Sequence, residues 1–261
     1  MAMPQTRFDE WLQTSAAGLY VRQWQQRHYA HAVQDVFGYY ALHIGVASIA
    51  ALQTSRIAHT WRLAPQWPGG DAAADLCAAP EALPFADNQL DLIVMPHGLE
   101  LSCQPHAVLR EATRTLRPEG RLIISGFNPA RLLLGARAPR RLQPASAAIG
   151  HQRLRDWLAL LDFELQAQFF GCHIPNGHRP QWYERLAWID RLLQDRLPVF
   201  SGVYFIVAVK KVHGARLIGP QWRTQPASAA ATALQPTPRT AQPGPPPAAQ
   251  SQAPHPLSHP I

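Results

Sequence analysis

Three places in the sequence hold side chains able to do chemistry near neutral pH, and the first is a histidine. His97 stands in MPHGLE, directly after the apolar run Leu90–Met95, with Glu100 three residues further on. An imidazole changes charge near neutral pH, so at a strand end it can take a proton from an oxygen or nitrogen nucleophile. The alternative is a histidine that hydrogen-bonds its own loop. Glu100 is either a partner of that site or an acid at a helix start, where the helix dipole favours negative charge. The second place is GCHIPNGH, where Cys172, His173 and His178 crowd together. These are metal-ligand types, but a fourth ligand and a paired CxxC motif are missing, so the stretch reads as a loop after a strand, with no metal. The third is a set of carboxylates, Asp71, Asp75, Glu81 and Asp91. Asp91 opens the apolar run and reads as structural.

Elements must position these groups. Apolar residues from Phe8 to Val36 recur mostly every three or four positions, which predicts helix over 8–36, with Thr14 or Ser15 as a break or cap. YYALHIG predicts a strand over 39–45, SIAALQ a short helix, and residues 57–63 a second strand. APQWPGGDAAAD reads as loop. LDLIVM suits a strand buried on both faces of a parallel sheet. Helices are expected over 105–116, 132–136, 151–161 and 182–193, and strands over 121–125, 163–170 and 202–209, with PEG as a turn. Alternating strands and helices argue a doubly wound α/β sheet.

The chain of 261 residues is 47% hydrophobic, enough for one well-packed domain, expected over 1–224. From Gln225 the composition turns to Ala, Pro, Gln, Ser and Thr, which predicts a disordered tail over 225–261. No apolar run reaches about 18 residues, so no membrane insertion is expected. MAMPQTRFDEWLQ lacks a secretory pattern, and the three scattered cysteines fit reduced thiols, so the expected location is cytoplasmic. The net charge is +7, and beyond residue 196 Lys210, Lys211, Arg216, Arg223 and Arg239 face no acid. That segment is a weak candidate for nucleic-acid contact, weighed against a solvated basic tail.

The stretch LPFADNQLDLIVMPHGLELSCQPHAVLREATRTLRPEGRLIISGFNP carries a family resemblance. Leu83, Pro84, Phe85, Asp87, Asp91, His97, Leu99, Glu100, Leu109, Arg110, Glu111, Leu116, Arg117, Pro118 and Gly120 match in register. In this stretch the chain resembles the type 11 group of class I methyltransferases, and within it a small bacterial subfamily. The resemblance implies a mostly parallel seven-stranded sheet with an antiparallel last strand, and S-adenosylmethionine as cofactor. In such sheets ligands sit beyond the carboxyl ends of the strands. The resemblance then places Pro96 and His97 at the methionine part of the cofactor, with His97 beside the transferring methyl as a catalytic base. It places Leu83, Pro84 and Phe85 over the adenine, where apolar contact stabilises a flat ring. Glu81 is the nearest acid able to accept from the adenine amine.

Two motifs depart from the group. Its first motif, D-x-G-x-G-x-G, reads here His43-Ile44-Gly45-Val46-Ala47-Ser48-Ile49. Only Gly45 survives, and His43 replaces the acid. Side chains in place of glycine narrow the space for a cofactor. The acid that grips the ribose at the end of the second strand is missing from Arg62-Leu63-Ala64-Pro65, with Asp71 and Asp75 as substitutes. The helix between the second and third strands is expected to be lost or cut to a turn. Two readings follow. One is methyl transfer from S-adenosylmethionine to an unidentified oxygen or nitrogen acceptor. The alternative is a catalytically inactive binding or regulatory protein on the same fold.

Overall fold

In the computed structural model the described residues are 4–65, 74–129, 149–173 and 201–211. By internal contacts the chain divides into Met1–Gly214 and Ala215–Ile261. The second unit lies outside the described residues, as do the expected boundary at 224/225 and the expected helices over 132–136 and 182–193.

Two helices come first, α1 (Pro4–Thr14) and α2 (Ala16–Gln34). Ser15 divides them: its backbone is extended, and its hydroxyl accepts from the Gly18 N–H. That satisfies one of the donors a helix start leaves orphaned. The strands are β1 (Tyr40–Ile44), β2 (His59–Ala64), β3 (Leu76–Cys77), β4 (Leu90–Pro96), β5 (Leu116–Phe127), β6 (Phe163–Gly171) and β7 (Val203–Lys210). They form one sheet in the order β3-β2-β1-β4-β5-β7-β6. Pairs among β1 to β5 are parallel, while β7 runs antiparallel to both β5 and β6. This is the doubly wound, mostly parallel seven-stranded sheet with an antiparallel last strand that the sequence implied.

Every residue of β4 is buried, as its unbroken apolar run demands for a strand covered on both faces. One face packs beneath α4 (Pro105–Thr115) and α5 (His151–Leu160), the other beneath α1 and α2. Between β4 and α4 lies one short turn of helix, α3 (Gly98–Leu101). Asp91 ties the amino ends of the strands together. Its Oδ2 accepts from the Tyr39 and Tyr40 N–H groups at 2.7 and 3.0 Å, and its Oδ1 accepts from Arg117 at 2.7 Å. The structural role expected for Asp91 is what the geometry shows.

Two expectations about local structure change. SIAALQ is a string of turns: Gln53 N–H donates to Ala50 O and Ser55 N–H to Leu52 O. Ile49 and Ala51 point into the core at alternate positions, a spacing no helix face supplies. PEG lies inside β5 as a kink, with Glu119 at φ 65° and a register break opposite Leu90–Leu92. The segment between β2 and β3, where a helix was expected to be lost, falls largely outside the described residues.

Candidate cofactor site

Parallel strands β1 and β4 lie side by side, so their carboxyl ends open at the same edge, where the sheet order reverses. Two glycines let their exits interlock. Gly45 has φ +126°, and a Cβ there would stand 2.2 Å from Pro96 O. A Cβ on Gly98 would stand 2.7 Å from Ile44 O. Val46 N–H donates to Pro96 O at 3.0 Å and closes the junction.

Beside this junction lies a hollow of about 250 Å³, lined among others by Ile44, Gly45, Leu63, Glu81, Gly98 and Ser102. Its volume is slightly below the roughly 300–1,000 Å³ of small-ligand pockets. Ala47 and Ile49, which replace the lost glycines, do not line it, and Ala47 is exposed. Val46 and Ile49 are fully buried in the opposite cluster, under α1 and α2. The turn turns its bulk away from the hollow and presents Gly45 to it.

Of the residues singled out from sequence, the structure brings Gly45 and Glu81 to this hollow. Glu81 Oε1 accepts from the Ser102 hydroxyl at 2.5 Å. The other six lie elsewhere. Leu83 is buried in the core below α4, Pro84 is exposed, and Phe85 packs on Trp61 with ring centroids 5.3 Å apart. Arg114 holds this loop, donating to Phe85 O and pairing with Glu111 and Asp87. Pro96 contributes its carbonyl to the junction. His43 is buried, and its Nε2–H donates to Val46 O at 3.1 Å, so it ties the turn that an acid would have left open. Asp75 is held by the Arg62 backbone N–H and side chain and does not line the hollow, and Asp71 is outside the described residues.

Burial pushes the His43 imidazole down to about 4 from its ordinary 6.5. The unfolded chain therefore binds a proton between those values that the folded chain refuses. That stability is fully present above pH 6.5 and is lost as pH falls from there toward 4, about 2–3 kcal/mol between pH 7.5 and 4.5. We expect His43→Gln to remove that part of the acid sensitivity. Urea midpoints of both proteins at the two pH values check it, and parallel losses would contradict it.

His97 faces away from the hollow, toward α1 and α2. Its backbone is left-handed at φ 54°, its side chain is fully buried, and its ring lies 4.9 Å from Phe8 and 4.6 Å from Phe127. Nδ1 is 2.6 Å from Glu100 Oε2, and Nε2 is 2.7 Å from the Gln25 amide nitrogen. An amide nitrogen only donates, so Nε2 accepts and the proton sits on Nδ1, donated to the carboxylate. Glu100 Oε1 accepts from the Phe127 N–H at 2.6 Å. The result is a polar chain, Gln25–His97–Glu100–Phe127, inside an aromatic wall.

Sequence reasoning missed Gly98, Ser102 and Gln25. Gly98 was legible as a glycine one residue past a strand end. Gln25 carries no local signal, because only the folding of α2 across the sheet brings it to His97. Among the described residues no group of three His, Cys, Asp or Glu side chains could hold a metal. His178 lies outside them. No described helix is long and apolar enough to cross a membrane.

An open sheet in this strand order, with a hollow at the carboxyl ends of β1 and β4, defines the class I methyltransferase fold. Residues 43–124 match the methyltransferase domain family. The uncharacterized protein YafS of Escherichia coli K12 is 31% identical over 181 residues, 67% of this chain and 70% of that protein. The chain thus belongs to the type 11 group of class I methyltransferases, a family that as a class uses S-adenosylmethionine. Solved structures agree on the fold. A SAM-dependent methyltransferase from Thermotoga maritima superposes with a TM-score of 0.54 at 16% identity, covering 78% of this chain and 98% of that one. The [4+2]-cyclase SpnF does so at 0.51 and 19%, covering 72% and 80%. A cyclase on this scaffold shows that the fold alone does not give the reaction.

Proposed function

We propose that the chain, in a cytoplasmic setting, transfers a methyl group from S-adenosylmethionine to an oxygen or nitrogen nucleophile of an acceptor. The observation that carries this is the hollow beside Gly45 and Gly98, kept clear because Val46 and Ile49 bury themselves on the other face. Glycines at both strand exits seat the turn after β1 on β4 beside this hollow, an arrangement that suits a nucleoside cofactor. Gly45 and Gly98 would admit its backbone-facing part, and Glu81 would accept from the adenine amine or a ribose hydroxyl. When bound, the sulfonium supplies an electrophilic methyl, and catalysis is mainly placement of the acceptor in line with it.

His97 is the proposed base. Glu100 holds the ring proton on Nδ1, so the basic lone pair is that of Nε2, which accepts from the Gln25 amide. Gln25 stands where an acceptor hydroxyl or amine would donate, so its amide must give way for the ring to take a proton. The inactive reading draws on the turn after β1, which His43 ties to Val46, and on Arg62-Leu63-Ala64-Pro65 holding no acid.

Calorimetry of the full chain with S-adenosylmethionine and S-adenosylhomocysteine tests the proposal. Without a ribose acid, affinity is expected to be about ten- to a hundredfold below that of a site with one. Glu81→Gln is expected to weaken it a further tenfold or so. No heat at millimolar cofactor would remove the enzymatic reading and leave the scaffold.

A further inference from the structure

The second half of α2 crosses β5, β7 and β6 and leaves a groove of about 550 Å³ between helix and sheet. It shares no residue with the hollow at β1 and β4. The volume is in the range of small-ligand pockets. From the helix come Arg27, His28, His31 and Asp35, one or two turns apart along one side, and from the first part of β5 comes Arg121. Ala32, Ala167, Phe169 and Val207 supply apolar walls, and Gln166 a polar one.

The charges do not balance. Arg27 and Arg121 make no ion pair among the described residues, and Asp35 is the one acid lining the groove. The crowding has an effect that can be read in His28, whose basicity is lowered first by burial and then by its neighbours His31 and Arg27. Its ring packs against two others at tilted angles, with centroids 3.9 Å from Trp24 and 5.5 Å from Phe169. Nδ1–H donates to Trp24 O at 2.8 Å, which leaves Nε2 as the nitrogen open to the groove. A helix dipole accounts for His31, which sits in the last turn of α2. It does not account for Arg121, which arrives from a strand.

We propose that this groove is a second ligand site, for a small organic anion whose phosphate or carboxylate head lies among Arg27, Arg121 and the two histidines and whose apolar body lies against Ala32, Ala167 and Phe169. The anion offsets the mutual repulsion of the cations, and the apolar wall distinguishes an organic anion from a bare ion. Binding favours protonation of His28. The other titratable or charged groups lining the groove are Arg27 and His31 from α2, Asp35 at its C-cap and Arg121 from β5, and β6 and β7 line it with none.

Calorimetry of the full chain with phenyl phosphate, benzoate, inorganic phosphate and benzyl alcohol decides it. Phenyl phosphate or benzoate is expected to bind, more tightly at pH 6 than at pH 8 and with proton uptake seen as a dependence on buffer ionisation heat. Arg27→Gln, at an exposed position, and Arg121→Gln are each expected to weaken binding about three- to tenfold. Inorganic phosphate binding as tightly as phenyl phosphate would overturn the organic body, and benzyl alcohol binding as tightly would overturn the anionic head. Unchanged affinity in both arginine variants, each checked for a wild-type thermal midpoint, would overturn the site. Cofactor titrations of the same variants are expected to match wild type, which separates this result from the methyl-transfer proposal.

Discussion

Gly45→Ala is expected to cost about 3–5 kcal/mol of unfolding free energy and to lower the thermal midpoint by about 10 °C. Two penalties combine. At φ +126° an L side chain is strained wherever there is room for it, and here there is none. The new Cβ would meet a backbone carbonyl, Pro96 O, at 2.2 Å, and Gly98 at 3.0 Å, so neither neighbour can yield by turning a side chain. The carbonyl it displaces is the one that accepts from Val46 N–H, so relieving the clash breaks the junction of β1 and β4. Gly150→Ala is the control. A Cβ there meets only Pro129 Cγ at 3.6 Å, and its φ of −64° suits any residue, so the change is expected to stay within about 1 kcal/mol. Chemical denaturation of both variants reads the difference. Equal midpoints would mean that the turn after β1 is not seated on β4 as described.

The sheet was legible in the sequence because its central strands are buried on both faces. LDLIVM and GVYFIVAV carry no alternation, and a run of that length bounded by turns has few other uses. The tail of β1 was harder. Its lost glycines predicted crowding of the cofactor hollow, yet Val46 and Ile49 turn to the opposite face, because α1 and α2 offer them an apolar surface that no local pattern reveals. The LPF segment does not line the hollow. Its residues match the family's adenine edge, but the Arg114–Glu111–Asp87 clamp draws the loop against α4, so the wall of the hollow is built from Ala79, Pro80 and Glu81 just before it. Small and cyclic side chains shape space without contributing chemistry, and so leave little to read in advance. His97 was picked for its imidazole, while its partners lie 72 residues earlier and three later. Only the nearer was within reach of sequence reasoning.

Substituting Glu100 separates scaffold from chemistry at that histidine. Glu100→Ala leaves the Phe127 N–H and the His97 Nδ1–H without their acceptor in a buried site, and about 3–5 kcal/mol of stability is expected to go with it. Glu100→Gln is expected to be milder. Its carbonyl oxygen can still accept from Phe127 N–H, but its amide then donates toward His97 Nδ1. The imidazole must move its proton to Nε2, and Gln25 must turn its amide oxygen to receive it. That oxygen is available, since Gln25 Oε1 is buried without a hydrogen-bond partner in the native arrangement. The variant therefore reverses the polarity of the chain while keeping its shape. Ring 15N spectra of His97 are expected to show the proton on Nδ1 in the wild type and on Nε2 in Glu100→Gln. If His97 is the base, the variant binds cofactor normally and loses about 10²–10⁴-fold in turnover, because the lone pair no longer faces the acceptor side. Turnover that survives the tautomer change would assign His97 to holding α2 on the sheet and leave methyl transfer to placement alone.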